Sequence, residues 1–446
     1  MQHHRITLRD RGWTRFTTTR VIGPLTGLDP DRLKALLVAV HSRHPQTPAL
    51  SLLDRRRGRT TAVGSQEFAA LLPQWVQVVE RSEVTPTGTP TAGDLARVIS
   101  RLPETDLPLQ VFCCAGVLGV RTCHALGDGA TITPIVLALA AGDESRLEAA
   151  LVAPLRRGPV TTALLRHFGT HPGRLIAAAR TVLPISAPGS DPAAAQRHGV
   201  ALAETTIGAP VLTALRQQRD RSGTGASVAA VVMTEAIGAL RDAGLRSAGV
   251  NVMMDCRRYL GEAPAVPGNF ATGPYLAVPD RLDATAFGTA MQRSLERGTP
   301  LLLLGLGVTL MTLRGGRPKP LASVRHDPVR PSIMLTHQGR PALASTPLVE
   351  RSPQLPTSGP GVAPYVVAPT PSGPEGVTMG FLEGPLGLHV CVTADAFIAG
   401  SSTLASVLQS LERRLSSLAD VSGVSAPDGS DRSPDPGLLR SASEVA

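Results

Sequence analysis

A chain of 446 residues, 42% hydrophobic and 18% charged, is too long for one simple core and too apolar to be disordered throughout. Two subdomains with a cleft between them are the expectation, and small-molecule sites favour such clefts. The net charge of +9 is carried almost wholly by arginine, since Lys34 and Lys319 are the two lysines, which fits either a compositional bias or long-range attraction of an acidic partner. No basic run alternates with aromatic residues, which make up 3% of the chain, so nucleic acid is not an expected partner. The tight basic cluster at 55–59 reads as a solvated loop. No apolar run near the start resembles a secretory core, so export is not expected. The longest apolar stretches, 131–141 and 301–313, fall short of the roughly 20 residues a membrane helix needs and read as buried helices. Five cysteines without a CxxC pair describe neither a disulfide framework nor a zinc site, so reduced thiols in the cytoplasm and no metal are expected.

In chain order, residues 16–28 look extended. Asp29, Pro30 and Asp31 then supply an N-cap and a proline at a helix start, with Leu33, Leu36, Leu37 and Val40 on one face. His44-Pro45 closes that helix, because the residue before proline is pushed out of the helical region. Residues 49–53 read as a strand. Two short apolar strands, 109–114 and 117–123, are separated by Ala115-Gly116 and predict a hairpin. His124 follows the second strand, then the turn signal Gly127-Asp128-Gly129, then a helix over 132–140. Between 156 and 203 five prolines interrupt short helical pieces, so the subdomain boundary falls there. The expected division is 1–170, a connection at 171–202, a second subdomain at 203–420, and a disordered tail at 421–446 rich in Ser, Pro, Asp and Gly. The second half predicts a strand at 203–207, a helix from about 210, a helix at 227–240, a strand at 250–255 and a helix at 301–313. Strands at 332–336, 377–381 and 387–393 and an amphipathic helix at 405–418 complete it.

The sharpest local feature is a histidine at a strand end followed four residues later by an aspartate inside a glycine turn, His124 to Asp128. An imidazole titrates near neutrality and can take a proton from an attacking hydroxyl or amine, which makes His124 the candidate general base. Taken alone, the same residues also describe a satisfied strand-end histidine with Asp128 capping the following helix. Arg325-His326-Asp327 lies in a polar, proline-flanked stretch and reads as a solvated loop. Cys123 beside His124 is a poor nucleophile candidate, because adjacent strand residues face opposite sides.

The segment resembles the HHxxxDG motif of the condensation-domain and CoA-dependent acyltransferase superfamily, with Cys123, His124, Asp128 and Gly129 in its positions and the first histidine replaced by cysteine. The resemblance covers roughly residues 16–418. Arg43-His44-Pro45 is similar to the signature that ends the family's first helix, 227–240 to its helix in the second half, and 252–257 to the strand that ends in its arginine. Pro267-Gly268-Asn269-Phe270 is similar to the segment that follows. Thr336, His337 and Gln338 align with the strand that floors the family's cleft.

The resemblance implies an α/β fold of two chloramphenicol-acetyltransferase-like subdomains, mixed sheets flanked by helices, forming a V-shaped pseudo-dimer with an interfacial channel. It implies that His124 is the base, that Asp128 and Arg257 pair to brace the site, and that Gly129, Asn269, Thr336 and Gln338 line the channel. The implied reaction is acyl transfer from CoA or a phosphopantetheinyl carrier protein to a hydroxyl or amine of a small-molecule acceptor, in natural-product or lipid biosynthesis. The thioester would be a co-substrate, with no bound cofactor, and the protein a monomer. An amide-forming stand-alone condensation enzyme and a catalytically silent scaffold that binds a carrier protein are the alternatives.

Overall fold

In the computed structural model, the structure describes residues 3–85, 88–152, 158–182, 199–223, 226–261, 266–316, 331–339, 365–369, 371, 376–384 and 386–420. The expected tail at 421–446 and Arg325-His326-Asp327 lie outside the described residues. The fold is mixed α/β, with sheets flanked by helices.

The N-terminal half is built on a five-stranded sheet whose spatial order is Tyr365–Ala368, Thr17–Ile22, Val117–Cys123, Leu109–Cys114 and Val76–Val78. Ala115 and Gly116 both adopt positive φ, 44° and 82°, and close the predicted hairpin with the backbone twist that suits two antiparallel strands. Leu109–Cys114 and Val117–Cys123 are buried at every position because both faces of the sheet are covered. Val111, Cys113, Leu118 and Val120 pack with Ile132 and Val136 of helix Gly129–Ala141. The alternate residues Phe112, Cys114 and Val117 pack with Leu95 and Ile99 of helix Ala92–Arg101 on the other side. The helix Pro30–Arg43 begins and ends as its sequence predicts: the Asp29 carboxylate accepts from Asp31 N, and the four named apolar residues are buried.

The C-terminal half carries a seven-stranded sheet in the order Ala271–Thr272, Gly249–Asp255, Ser332–His337, Gly376–Gly384, Gly387–Asp395 and Val200–Gly208, with Tyr275–Ala277 also pairing with Gly249–Asp255. Helices Val228–Asp242 and Ser401–Asp420 cover it, the latter through Leu404, Val407, Leu408, Leu411 and Leu415. One strand crosses between the halves: Tyr365–Ala368 belongs by sequence to the second half and pairs antiparallel with Thr17–Ile22 in the first. Val21, Val366, Leu202 and Cys391 then share one buried cluster, which makes the interface part of the core.

Two local expectations are corrected. Residues 49–53 are not one strand, because Pro48–Leu50 turns as a 3-10 helix and the strand is Leu52–Asp54. The basic cluster is not wholly solvated: Arg56 and Arg57 are exposed, but the Arg55 guanidinium donates to Thr14 O at 2.6 Å and to Thr105 O at 2.9 Å.

Candidate active site

His124 leaves the end of strand Val117–Cys123 and opens the 3-10 turn His124–Leu126. Its backbone is held from both ends: its N–H donates to Phe16 O at 2.7 Å, and its carbonyl accepts from Asn269 Nδ2 at 2.6 Å. The chain can reverse after it because Gly127 sits at φ 151°, ψ 174°, a conformation open essentially to glycine. A Cβ there would also lie 2.5 Å from the Thr131 side chain.

Asp128 stands at the N-cap of helix Gly129–Ala141 but makes no side-chain cap bond, against the capping reading of the sequence. Its carboxylate is turned to the other half of the molecule. Arg257 Nη1 and Nη2 reach its two oxygens at 2.8 and 3.0 Å, and Phe270 N donates at 2.9 Å. The guanidinium also donates to Val266 O and Gly268 O, so Arg257 is held by four acceptor groups when Asp255 is counted. A fork of this kind fixes both position and angle of the carboxylate. Arg258, its neighbour, is exposed.

The cavity that His124 lines has a volume of about 630 Å³ and draws its wall from both halves. Asp128, Gly129, Arg257, Asn269, Thr336 and Gln338 all line it, so these six residues meet His124 in one place. A second cavity of about 670 Å³ lies against Cys123, Ala125, Leu126 and Thr131 and shares no lining residue with the first.

Three residues at the site were not legible in the sequence. The Trp13 indole stacks on the His124 imidazole, with ring centroids 4.6 Å apart and planes at 23°. Asp10, 3% exposed, accepts from both Asn269 N and Asn269 Nδ2, and so holds the amide that holds His124. Arg20, 3% exposed, lines the cavity from strand Thr17–Ile22. The signal available was thin: Trp13 is one of two tryptophans in a chain poor in aromatics.

Burial, with the Arg20 charge next in importance, pushes the His124 pKa down, while Asp128 and Asn269 oppose the shift. The ring is therefore neutral at pH 7 and able to accept a proton. Cys123, in the position of the family's first histidine, points away from the base. Its thiol donates to Thr14 O at 3.5 Å beneath the N-terminal segment, and burial pushes its pKa up, so it stays protonated.

No protein-family model and no curated protein sequence matches the chain. Solved structures do. The condensation domain of the Monacolin K polyketide synthase MokA aligns over 94% of this chain and 98% of its own, with a TM-score of 0.56 at 14% identity. The first condensation domain of the calcium-dependent antibiotic synthetase, solved with a substrate analogue, aligns over 94% and 96%, with a TM-score of 0.54 at 16% identity. The chain has the condensation-domain fold. An X-domain from teicoplanin biosynthesis, solved as a complex with OxyB, shares this fold, with a TM-score of 0.50 at 15% identity over 94% of both chains. The condensation-domain fold thus accounts for nearly the whole chain, with its candidate site at the junction of its halves. Among the described residues, no helix is long and apolar enough to cross a membrane.

Proposed function

We propose that this protein is an acyltransferase that moves an acyl group from a thioester, CoA or a phosphopantetheinyl carrier protein, to a hydroxyl or amine of a small-molecule acceptor. The observation that carries this reading is a neutral imidazole, braced through its backbone, opening into a cavity of about 630 Å³ between the halves of a condensation-domain fold. His124 takes the proton from the acceptor as its oxygen or nitrogen bonds to the thioester carbonyl carbon. The tetrahedral intermediate collapses by breaking the C–S bond, and the imidazolium returns the proton to the departing thiolate. Holding both reactants in one cavity supplies most of the acceleration, and a placed base adds roughly two to four decades. Whether ester or amide forms depends on the acceptor alone, because the same proton transfer serves both.

A second reading, a partner-binding scaffold without catalysis, is favoured by Cys123 in the place of the first histidine and by the likeness to an X-domain complexed with OxyB. One assay separates the two. Purified protein is offered acyl-CoA and acyl-pantetheine thioesters with alcohol and amine acceptors, and thiol release and product mass are followed. Transfer that falls at least a hundredfold in His124→Ala, with an unchanged melting curve, supports the enzyme. Equal rates in the two proteins, or transfer by neither, overturn it.

A further inference from the structure

Arg20 carries a full charge into the candidate site and, among the described residues, makes no ion pair there. Arginine stays protonated in proteins, and leaving one out of water without a partner costs several kcal/mol. Yet its Nε and Nη1 are buried and make no hydrogen bond. Tyr365 and Asp128 raise its pKa against the burial that lowers it, but neither makes an ion pair with it. Tyr365 is a phenol whose own pKa burial pushes up, so it is neutral. The Asp128 carboxylate is occupied by Arg257 and Phe270 N. The side chain also has no freedom to leave. Phe16, Thr18 and Arg20 alternate along one edge of the chain and all line the cavity, and the strand that carries Arg20 is paired on both sides.

A second feature faces the same point. A Cβ on Gly129 would lie 3.9 Å from Arg20 Nη2, so the guanidinium sits beside the start of helix Gly129–Ala141. That helix has 13 residues, and its N-cap aspartate gives it no side-chain cap. Its first N–H groups and the positive end of its dipole therefore add to the pull on a negative group. Thr18 and Thr133, which also line the cavity, carry hydroxyls that can donate to such a group. The remaining wall includes Leu137, Met253, Met334 and Leu382.

We infer that Arg20, with the N-terminal turn of helix Gly129–Ala141, anchors a carboxylate carried by one of the two substrates, the rest of which lies along the apolar wall. This rests on the acyl-transfer reading for the word substrate, but the anion site itself does not. The carboxylate has two possible sources, the far end of a dicarboxylic acyl group or the acid group of a hydroxy- or amino-acid acceptor.

Trp13 lines the same cavity and reports on it, so binding is read by tryptophan fluorescence, with Trp13→Phe to assign the signal. The probes are glutarate, for the acyl source, and 3-hydroxybutyrate, for the acceptor source, each against its neutral amide. Wild-type protein is expected to bind one acid at least tenfold more tightly than its amide, and the acid that binds identifies the source. Arg20→Met is expected to lose that preference and to melt at a higher temperature, because an unpaired buried charge is replaced by an apolar side chain of similar length. Arg20→Lys keeps the charge and is expected to keep part of the preference. Three results overturn the inference: no preference for either acid in the wild type, equal preference in Arg20→Met, or a lower melting temperature in Arg20→Met, which would mark the residue as structural. An acid preference in a protein that transfers no acyl group leaves the anion site standing and removes the enzyme. Transfer of neutral acyl groups to neutral acceptors, with no acid preference, does the reverse.

Discussion

Arg257 grips Asp128 through two parallel hydrogen bonds, at 2.8 and 3.0 Å, and so ties the turn after His124 to the other half of the molecule. Both side chains are largely buried, at 18% and 12% exposure, so removing one leaves the other poorly solvated. The two losses are unequal. Without Asp128, Arg257 keeps Val266 O, Gly268 O and Asp255, whereas without Arg257 the Asp128 carboxylate keeps Phe270 N. Arg257→Ala is therefore expected to cost about 3–5 kcal/mol and Asp128→Ala about 1–3 kcal/mol. Denaturant titration of the two single variants and the double variant checks both the order and the coupling. Equal losses that simply add would remove the brace.

The stacked indole above the base makes a different kind of prediction. Burial is the main cause that depresses the His124 pKa, and Trp13 is one of the groups that bury the ring. Trp13→Ala is expected to admit water and raise that pKa toward the ordinary value of about 6.5. Trp13→Phe keeps a ring over the imidazole and should leave it low. Chemical-shift titration of His124 reads this directly, and no upward movement in Trp13→Ala would show that the stack does not set the basicity.

Stability should fall as acidification passes through the histidine range. Burial pushes down the pKa of His41, His124, His167 and His337, and that of His389 to about 4. Unfolded histidines take up protons near pH 6.5 while these remain neutral in the fold, so the unfolded state binds more protons below that point. The stability is full above about pH 6.5 and is lost as pH falls from there toward 4. For His389 the interval of about 2.5 units corresponds to roughly 3 kcal/mol. Glu204, 3.4 Å from His389, has its pKa raised by burial and works in the opposite direction. Urea titrations at pH 7.5 and 5 should differ by a few kcal/mol, and His389→Gln should shrink the difference. A flat profile across that window would contradict these burials.

Gly127→Ala tests the turn that presents the base. Its φ of 151° and the 2.5 Å approach to Thr131 both penalise a Cβ. A loss of about 1–3 kcal/mol is expected from the backbone alone, together with a fall in any activity that depends on His124. An alanine variant of unchanged stability and rate would show that the turn tolerates another conformation.

How much of this was legible without coordinates follows from range. The hairpin 109–123 is written in two short apolar runs separated by Ala115-Gly116, and the helix from Pro30 in its cap and its closing His44-Pro45. Both signals sit within a few residues of the structure they specify, and both elements form as read. Asp128 shows the limit of local reading. Its position before a helix describes a cap, yet in the fold its carboxylate answers a stronger donor 129 residues away. Arg55 fails the same way: a cluster of arginines looks solvated until the carbonyls of Thr14 and Thr105 arrive beside one of them.

By itself, then, the sequence determined the strand, turn and helix that carry His124, and resemblance to a family supplied Asp128, Arg257 and the floor of the cleft. Only the tertiary structure decided that Trp13 covers the imidazole, that Asp10 steadies Asn269, that Arg20 enters the cavity with its Nε and Nη1 unbonded among the described residues, and that Tyr365–Ala368 crosses to the N-terminal sheet. The reason is physical. Periodicity and capping act between neighbours along the chain, whereas burial and the pairing of charges are settled by whichever distant residues packing brings within a few ångströms.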